Sequence, residues 1–235
     1  MIPAAGCGRR LNAGRNKILL PLDGRPMLCL AMAPLLASGL VDALVVVVSP
    51  DEMAEIEEIL EAADLPPAAV VPGGAERADS VRAGLEWLAS WRGWRTGARR
   101  FAAIHDAARP LLSMALWQEV LSAALRDGAA VPGLPVADTL KRVGEGNRIE
   151  ATVDRRDLWS IQTPQVFEFE AILGAHRRAH RAGLAATDDA GILEMTGRQV
   201  TVVPGERTNF KITTREDLLL AEAVLAARAR VMEPG

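Results

Sequence analysis

The chain has 235 residues, 49% of them hydrophobic and 24% charged, with a formal net charge of −3. That length and balance describe an ordinary globular protein with material for a large core, and the slight acidity gives no general attraction to nucleic acid or to an anionic membrane. No apolar run reaches the roughly 18 residues needed to span a bilayer, and Pro3 and the early glycines stand where the apolar stretch of a leader would be, so a cytoplasmic location is expected. The first informative segment is a loop: Pro3, Ala4, Ala5, Gly6, Cys7, Gly8, Arg9 and Arg10, with Lys17 beyond it. Small residues let the backbone approach a ligand and aim its N–H groups, and arginine and lysine add positive charge. The pattern points to holding a polyphosphate. It is not a P-loop, for the Gly-Lys-Ser/Thr ending is absent. Nor is it a dinucleotide fingerprint, for Leu11 stands where the third glycine belongs. Cys7 and Cys29 form no metal spacing and no disulfide framework.

Further along, strand-like and helix-like patterns alternate. Residues 43–48 are continuously apolar, as in a strand buried on both faces. Residues 51–61 read as a helix through Ile56, Ile59 and Leu60, 68–71 as a strand, and 80–88 as a helix through Val81, Leu85 and Leu88. A strand over 101–104 runs into His105 and Asp106, followed by a helix over 116–125 and a strand over 129–131. The alternation predicts an α/β fold, a doubly wound, mostly parallel sheet with helices on both faces. Ligands bind beyond the carboxyl ends of such strands, so Gly6, Gly73, Gly74 and Asp106 are expected to converge.

Residues 135–153 alternate polar and apolar around Gly144, Glu145, Gly146 and Asn147 and read as two antiparallel strands. A lone hairpin is marginal in water, so this arm is expected to pack either on a second subunit or on its own domain. A helix over 168–181, a turn at Thr187, Asp188 and Asp189, a strand over 200–203 and a final helix complete the chain. Thr213 or Thr214 caps that helix, with Asp217 closing a capping box if Thr214 leads. One domain, 1–235, with an arm at about 135–155, is the expected organisation. Residues 87–100 hold Trp87, Trp91 and Trp94 among Arg92, Arg95, Arg99 and Arg100. Such a segment could stack on nucleic acid or cover a neighbouring helix, and the acidic whole favours the second.

Eight motifs in register resemble the cytidylyltransferases that act on 2-C-methyl-D-erythritol 4-phosphate. They are the opening loop with Lys17; Gly73 to Val81; His105, Asp106, Ala107, Ala108, Arg109 and Pro110; and Pro135 to Arg142. The likeness continues through Thr152 to Arg155, Gln162 to Phe167, Thr187 to Ala190, and Asn209 to Thr213, covering essentially the whole chain. The resemblance implies a homodimeric enzyme of isoprenoid-precursor synthesis that uses CTP and a divalent cation such as Mg²⁺. Carried over position by position, Arg10, Lys17 and Lys211 are the implied catalytic residues. Ala4, Ala5, Gly6, Gly8, Gly74, Ser80 and Ala107 are implied to line the nucleotide. Asp106 is implied to hold the metal, with Arg109 bracing it. Thr139 and Arg155, on the arm, are implied to reach the polyol phosphate across the dimer interface.

The attacking phosphate oxygen is already ionised, so no base is required, and positioning and electrostatics should dominate. His105 is therefore expected to make a structural hydrogen bond. Other readings stay open from the residues alone: Asp106 as a loop acid, Lys211 as a solvated lysine, Asp188 and Asp189 as metal ligands or a helix start, and Asp154 as the orienter of Arg155. For the whole chain, a cytidylyltransferase for another polyol phosphate such as ribitol 5-phosphate, an enzyme using another nucleotide, and a non-catalytic nucleotide-binding protein remain as alternatives. The chain departs from the family pattern at four places. Asn16 replaces the usual proline, which predicts a looser Lys17 loop, and Ile18 replaces the usual glutamine. Ala75 replaces an acidic or polar residue of the base-binding turn. The first strand is expected to be short or to begin upstream.

Overall fold

The computed structural model describes residues 1–5, 16–65 and 67–232. In chain order the strands are β1 (Ile2–Pro3), β2 (Pro21–Leu22), β3 (Arg25–Pro26), β4 (Val45–Val48), β5 (Ala69–Pro72), β6 (Phe101–Ile104), β7 (Ala129–Pro135), β8 (Leu140–Val143), β9 (Ile149–Val153), β10 (Trp159–Ile161), β11 (Gln165–Glu168) and β12 (Thr201–Pro204). The helices are α1 (Met27–Ala37), α2 (Met53–Ala62), α3 (Arg77–Ser90), α4 (Met114–Asp127), α5 (Phe169–Ala182), α6 (Asp189–Glu194) and α7 (Arg215–Met232).

Parallel pairing joins β5, β4 and β1. Met1 carries the ladder on to β6: its amino group donates to Ala103 O at 2.8 Å and its carbonyl accepts from His105 N at 3.0 Å. β11 then runs antiparallel between β6 and β7, and β12 lies parallel on the far side of β7. β10 pairs antiparallel with the end of β7. The sheet order is thus β5-β4-β1-β6-β11-β7-β12, parallel except at β11, as the alternating sequence pattern predicts.

The four valines of β4 are all fully buried. Because side chains alternate along a strand, Val46 and Val48 face one cluster with Met32 of α1, Ile56 and Leu60 of α2, and Trp117 and Val120 of α4. Val45 and Val47 face the other, with Val81 and Leu85 of α3 and Ile172 and Leu173 of α5. A helical layer on each face explains why β4 carries no polar residue. A third cluster (Leu22, Met27, Ala108, Leu111, Ile212 and Ala221) attaches α7 and the β2–β3 turn near the end of β6.

Several details depart from the sequence reading. α1 is not anticipated by it: Pro34 lies inside the helix and the segment is apolar on every side, so neither an amphipathic period nor a clean boundary marks it. The capping box at α7 forms with Thr214 leading. Thr214 Oγ1 accepts from Asp217 N at 3.2 Å, and Asp217 Oδ2 accepts from Thr214 N at 2.9 Å and from Thr213 N at 2.7 Å. In the tryptophan-rich segment, Trp94 packs on Phe169 of α5 with centroids 5.1 Å apart, and its Nε1 donates to Leu88 O at 2.6 Å. The segment therefore covers neighbouring helices. β8 and β9 form a separate antiparallel pair with most side chains exposed. Among the described residues no helix is long and apolar enough to cross a membrane.

Candidate active site

Three strand ends meet at the carboxyl edge of the sheet. At the end of β1, Ala4 N donates to Val47 O at 2.7 Å and Ala4 O accepts from Asn16 Nδ2 at 3.3 Å, so both its backbone groups are engaged in the fold. Beyond β5, Gly73 N donates to Val48 O at 2.7 Å. A Cβ on Gly73 would stand 2.7 Å from both Ala5 Cβ and Ser80 Oγ, and one on Gly74 would stand 2.4 Å from Asp79 Cβ. Only glycine permits that approach. Ser80, itself buried, accepts from Gly74 N at 3.2 Å and donates to Glu76 O at 3.2 Å. Ala5, Gly74 and Ser80 are thus brought together, with the serine hydroxyl bracing the turn. Ala107 lies just past β6 with its methyl buried in the core.

At the end of β6, Asp106 is surrounded by cations. Its Oδ2 accepts from Lys211 Nζ at 2.8 Å, its Oδ1 lies 3.4 Å from an Arg77 nitrogen, and Arg109 Nε stands 3.9 Å away. Burial alone would raise this carboxyl; Lys211 first, then Arg77 and Arg109, overcome that and hold it at about 2. Asp106 is accordingly a full anion. Arg77 is held in turn by the fully buried Asp189, 2.7 Å away, whose other oxygen lies 3.2 Å from His176 Nε2.

His105 is a strut. Thr163 Oγ1 accepts from Asp106 N at 3.0 Å, which leaves its proton for His105 Nδ1 at 3.0 Å. The ring's proton then sits on Nε2 and points to Arg109 O at 3.1 Å. Burial pushes the imidazole down to about 4, so it stays neutral near pH 7. The expected structural hydrogen bond is what the geometry holds. Arg109 donates to Asn209 O at 2.8 Å, so it braces the loop carrying Lys211 as well as standing beside Asp106.

Lys17 opens a 3-10 turn (Lys17–Leu19) and its Nζ donates to Ile212 O at 3.0 Å, which brings it beside the Lys211 segment. Asn16 does not loosen this loop. Its side chain is buried and makes three hydrogen bonds, so the expected slackness is replaced by a polar anchor. Arg10, Gly6 and Gly8 lie outside the described residues. Thr139 and Arg155 are exposed on the arm; Arg155 donates to Ala137 O, and among the described residues no hydrogen bond or ion pair joins either to the Asp106 cluster. Asp154 pairs with Arg156, 2.8 Å from Nε, and so does not orient Arg155. Asp188 caps α6 by accepting from Gly191 N at 2.9 Å, which makes the acidic pair a helix start.

Sequence reasoning gave no role to Arg77, Thr163, Asn209 or His176. The signal available was polarity inside otherwise apolar neighbourhoods: Gln162, Thr163 and Gln165 are buried polar residues on the β10–β11 edge. Among the described residues no group of three or more His, Cys, Asp or Glu side chains is assembled for a metal. One ionised carboxylate at a strand end does not make a protein cage. It does suit an ion such as Mg²⁺ that keeps several waters and takes its other ligands from phosphates.

A mostly parallel α/β sheet with glycine turns and a charge cluster at its carboxyl edge defines a protein built to handle a nucleotide or another phosphate. The sequence model of one family, IspD: 2-C-methyl-D-erythritol 4-phosphate cytidylyltransferase, matches residues 1–227. A protein of that name from Geobacillus thermodenitrificans is 40% identical over 229 residues, covering 97% of this chain and 96% of the relative. Its namesake from Pelotomaculum thermopropionicum is 42% identical over 240 residues, covering 100% of this chain and 97% of the relative. The solved cytidylyltransferase of Thermus thermophilus is similar in structure, with a TM-score of 0.76, 36% identity, and coverage of 96% of this chain and 97% of that one. The chain belongs to the 2-C-methyl-D-erythritol 4-phosphate cytidylyltransferase family.

Proposed function

We propose that the chain transfers CMP from CTP to 2-C-methyl-D-erythritol 4-phosphate, giving 4-diphosphocytidyl-2-C-methyl-D-erythritol and pyrophosphate. The observation that carries this reading, beside the family membership, is the convergence of Lys211, Arg77 and Arg109 on the carboxylate of Asp106 at the sheet's carboxyl edge, with Lys17 reaching the adjoining Ile212 carbonyl. An ionised phosphate oxygen of the polyol attacks the α-phosphorus of CTP; the bond from that phosphorus to the bridging oxygen breaks, and pyrophosphate leaves with the electron pair. No proton has to be removed from the nucleophile. The barrier is the approach of two anions and the charge that spreads over the transition state, and positive groups fixed in advance lower it.

In this reading Lys17 and Lys211 contact the phosphates at the reacting centre, together with Arg10. The Ala5–Gly73–Gly74–Ser80 contact forms the nucleotide wall, with Gly6, Gly8 and Ala107 as further nucleotide contacts and Ala4 supporting the wall through its bonds to Val47 and Asn16. Asp106 would hold a divalent cation, with Mg²⁺ the best match to its chemistry. Bound there, the ion would neutralise phosphate charge and act as a Lewis acid. Residues 1–235 act as one nucleotidyltransferase unit whose arm, 135–155, joins two copies into a homodimer. The arm's exposed apolar side chains support that assembly: Val143 is 51% exposed and Ile149 64%. Thr139 and Arg155 then reach the polyol phosphate of the partner's site.

Pyrophosphate release with CTP and Mg²⁺ tests the reading, comparing 2-C-methyl-D-erythritol 4-phosphate with ribitol 5-phosphate. Activity with the first alone is expected. Activity with ribitol 5-phosphate alone would move the chain to another substrate, and silence with both in folded protein would remove the catalytic reading.

A further inference from the structure

Asn16, next to Lys17, is only 6% exposed. Its Oδ1 accepts from Ile18 N at 3.3 Å, and its Nδ2 donates to Ala4 O at 3.3 Å and to Glu52 Oε2 at 2.8 Å. Its backbone oxygen accepts from Leu19 N at 3.0 Å. One carboxamide therefore ties together the end of β1, the 3-10 turn that follows β4 (Pro50–Glu52) and the turn that begins at Lys17. From that turn the Lys17 side chain reaches Ile212 O, the residue after Lys211.

We propose that Asn16 is a positioning residue for Lys17: its carboxamide fixes the turn from which the Lys17 ammonium reaches the reacting phosphates. The inference rests on the reading of Lys17 given above. A lysine carries a flexible four-carbon stem, so its head can be pre-organised only if its root is fixed and its tip has a partner. Asn16 supplies the first and Ile212 O is one instance of the second. A buried amide with only a folding role would stabilise the protein and leave turnover per folded molecule alone. An anchor for a group needed in the transition state must affect kcat more than substrate binding.

The test compares the parent with Asn16→Ala, Asn16→Pro, Asn16→Asp, Asn16→Ser and Lys17→Ala. Three quantities are read: kcat, KM for CTP, and the rate at which acetic anhydride modifies Lys17 relative to Lys141 and Lys211, the chain's other lysines. For Asn16→Ala, kcat should fall about tenfold or more while KM for CTP changes by less than about threefold. Lys17 should be acetylated faster, with Lys141 unchanged as the internal control. The backbone at Asn16 has φ −61° and ψ 125°, values proline adopts without strain, so Asn16→Pro should recover much of the lost turnover. Asn16→Asp keeps the acceptor for Ile18 N but loses both donors and sets a carboxylate against Glu52, so it should show the same pattern at least as strongly. If Asn16→Ala does not fold, Asn16→Ser serves: its short hydroxyl can still accept from Ile18 N but cannot span Ala4 O and Glu52 together, and it should show the same pattern more weakly.

Parent kcat and parent Lys17 acetylation in a variant with only a lower melting temperature would overturn the inference. Acetylation also separates it from the reading beneath it. If Lys17→Ala keeps parent turnover, the role of Lys17 falls, while the labelling rate still decides whether Asn16 fixes that lysine.

Discussion

Lys211 Nζ lies 2.8 Å from Asp106 Oδ2, joining residues 105 positions apart in the chain. The contact closes the sheet's carboxyl edge with a segment from beyond β12, and Lys17 reaches the same segment through Ile212 O. Among 27 lysines and arginines only three are lysines, and two of them meet here. Lysine offers a compact point charge where arginine offers a planar fork. Lys211→Ala should reduce kcat by about a hundredfold or more, and Lys211→Arg should restore little of it, because a planar fork replaces the point charge. Steady-state kinetics with saturating CTP decides; full rescue by arginine would show that charge alone suffices.

The Asp189 carboxylate is buried between Arg77 and His176. Burial pulls its pKa up, but the His176 hydrogen bond and the Arg77 charge pull it down further, so it stays below the usual carboxylate range. Asp189→Asn leaves Arg77 short of a partner and should cost about 3 kcal/mol of stability. The sign with pH follows from the lowered value. The contribution is present above the unfolded carboxylate's pKa of about 4 and is lost as pH falls through the lower folded one. Urea unfolding of parent and variant from neutral pH downward should show the gap between them narrowing only in that acid window.

Gly73 marks where Ala5 and Ser80 close on the β5 turn. Gly73→Ala places a methyl 2.7 Å from both and forces one aside. Overpacking of this kind costs about 1–3 kcal/mol. If the turn forms the nucleotide wall, KM for CTP should rise more than kcat falls. An unchanged KM in a destabilised protein would separate the turn from the nucleotide.

Arg155→Ala should raise KM for the polyol phosphate and leave CTP binding nearly unchanged. Mixing it with Asp106→Asn should regain roughly a quarter of parental activity if each site takes Asp106 from one subunit and Arg155 from the other, since random two-fold pairing makes half the dimers mixed, each with one intact site. No regain in demonstrably mixed dimers would place Arg155 in its own subunit's site.

Local patterns were legible. The Val45–Val48 run, the β6 strand leading into His105 and Asp106, and the capping box at Thr214 each rest on residues adjacent or three to four apart, and each is observed. α1 was hidden because uniform apolarity and Pro34 erase the helical period. The antiparallel insertion of β11 was hidden because strand direction is set by pairing partners, not by composition. Asn16 shows the same division: its replacement of proline read as a loss, and the compensating bonds to Ala4 and Glu52 are visible only in three dimensions.

By itself the sequence determined the alternating α/β architecture, the family motifs and the residue types available for phosphate chemistry, because these follow from short-range periodicity and from side chains that carry charge. Only the tertiary structure decided which charges meet. Asp106 is held at about 2 by Lys211, Arg77 and Arg109, and Arg77 is aimed by Asp189 of α6, which His176 of α5 holds in turn. Electrostatic coupling depends on distance through space and on burial, and neither is written in the spacing of residues along the chain.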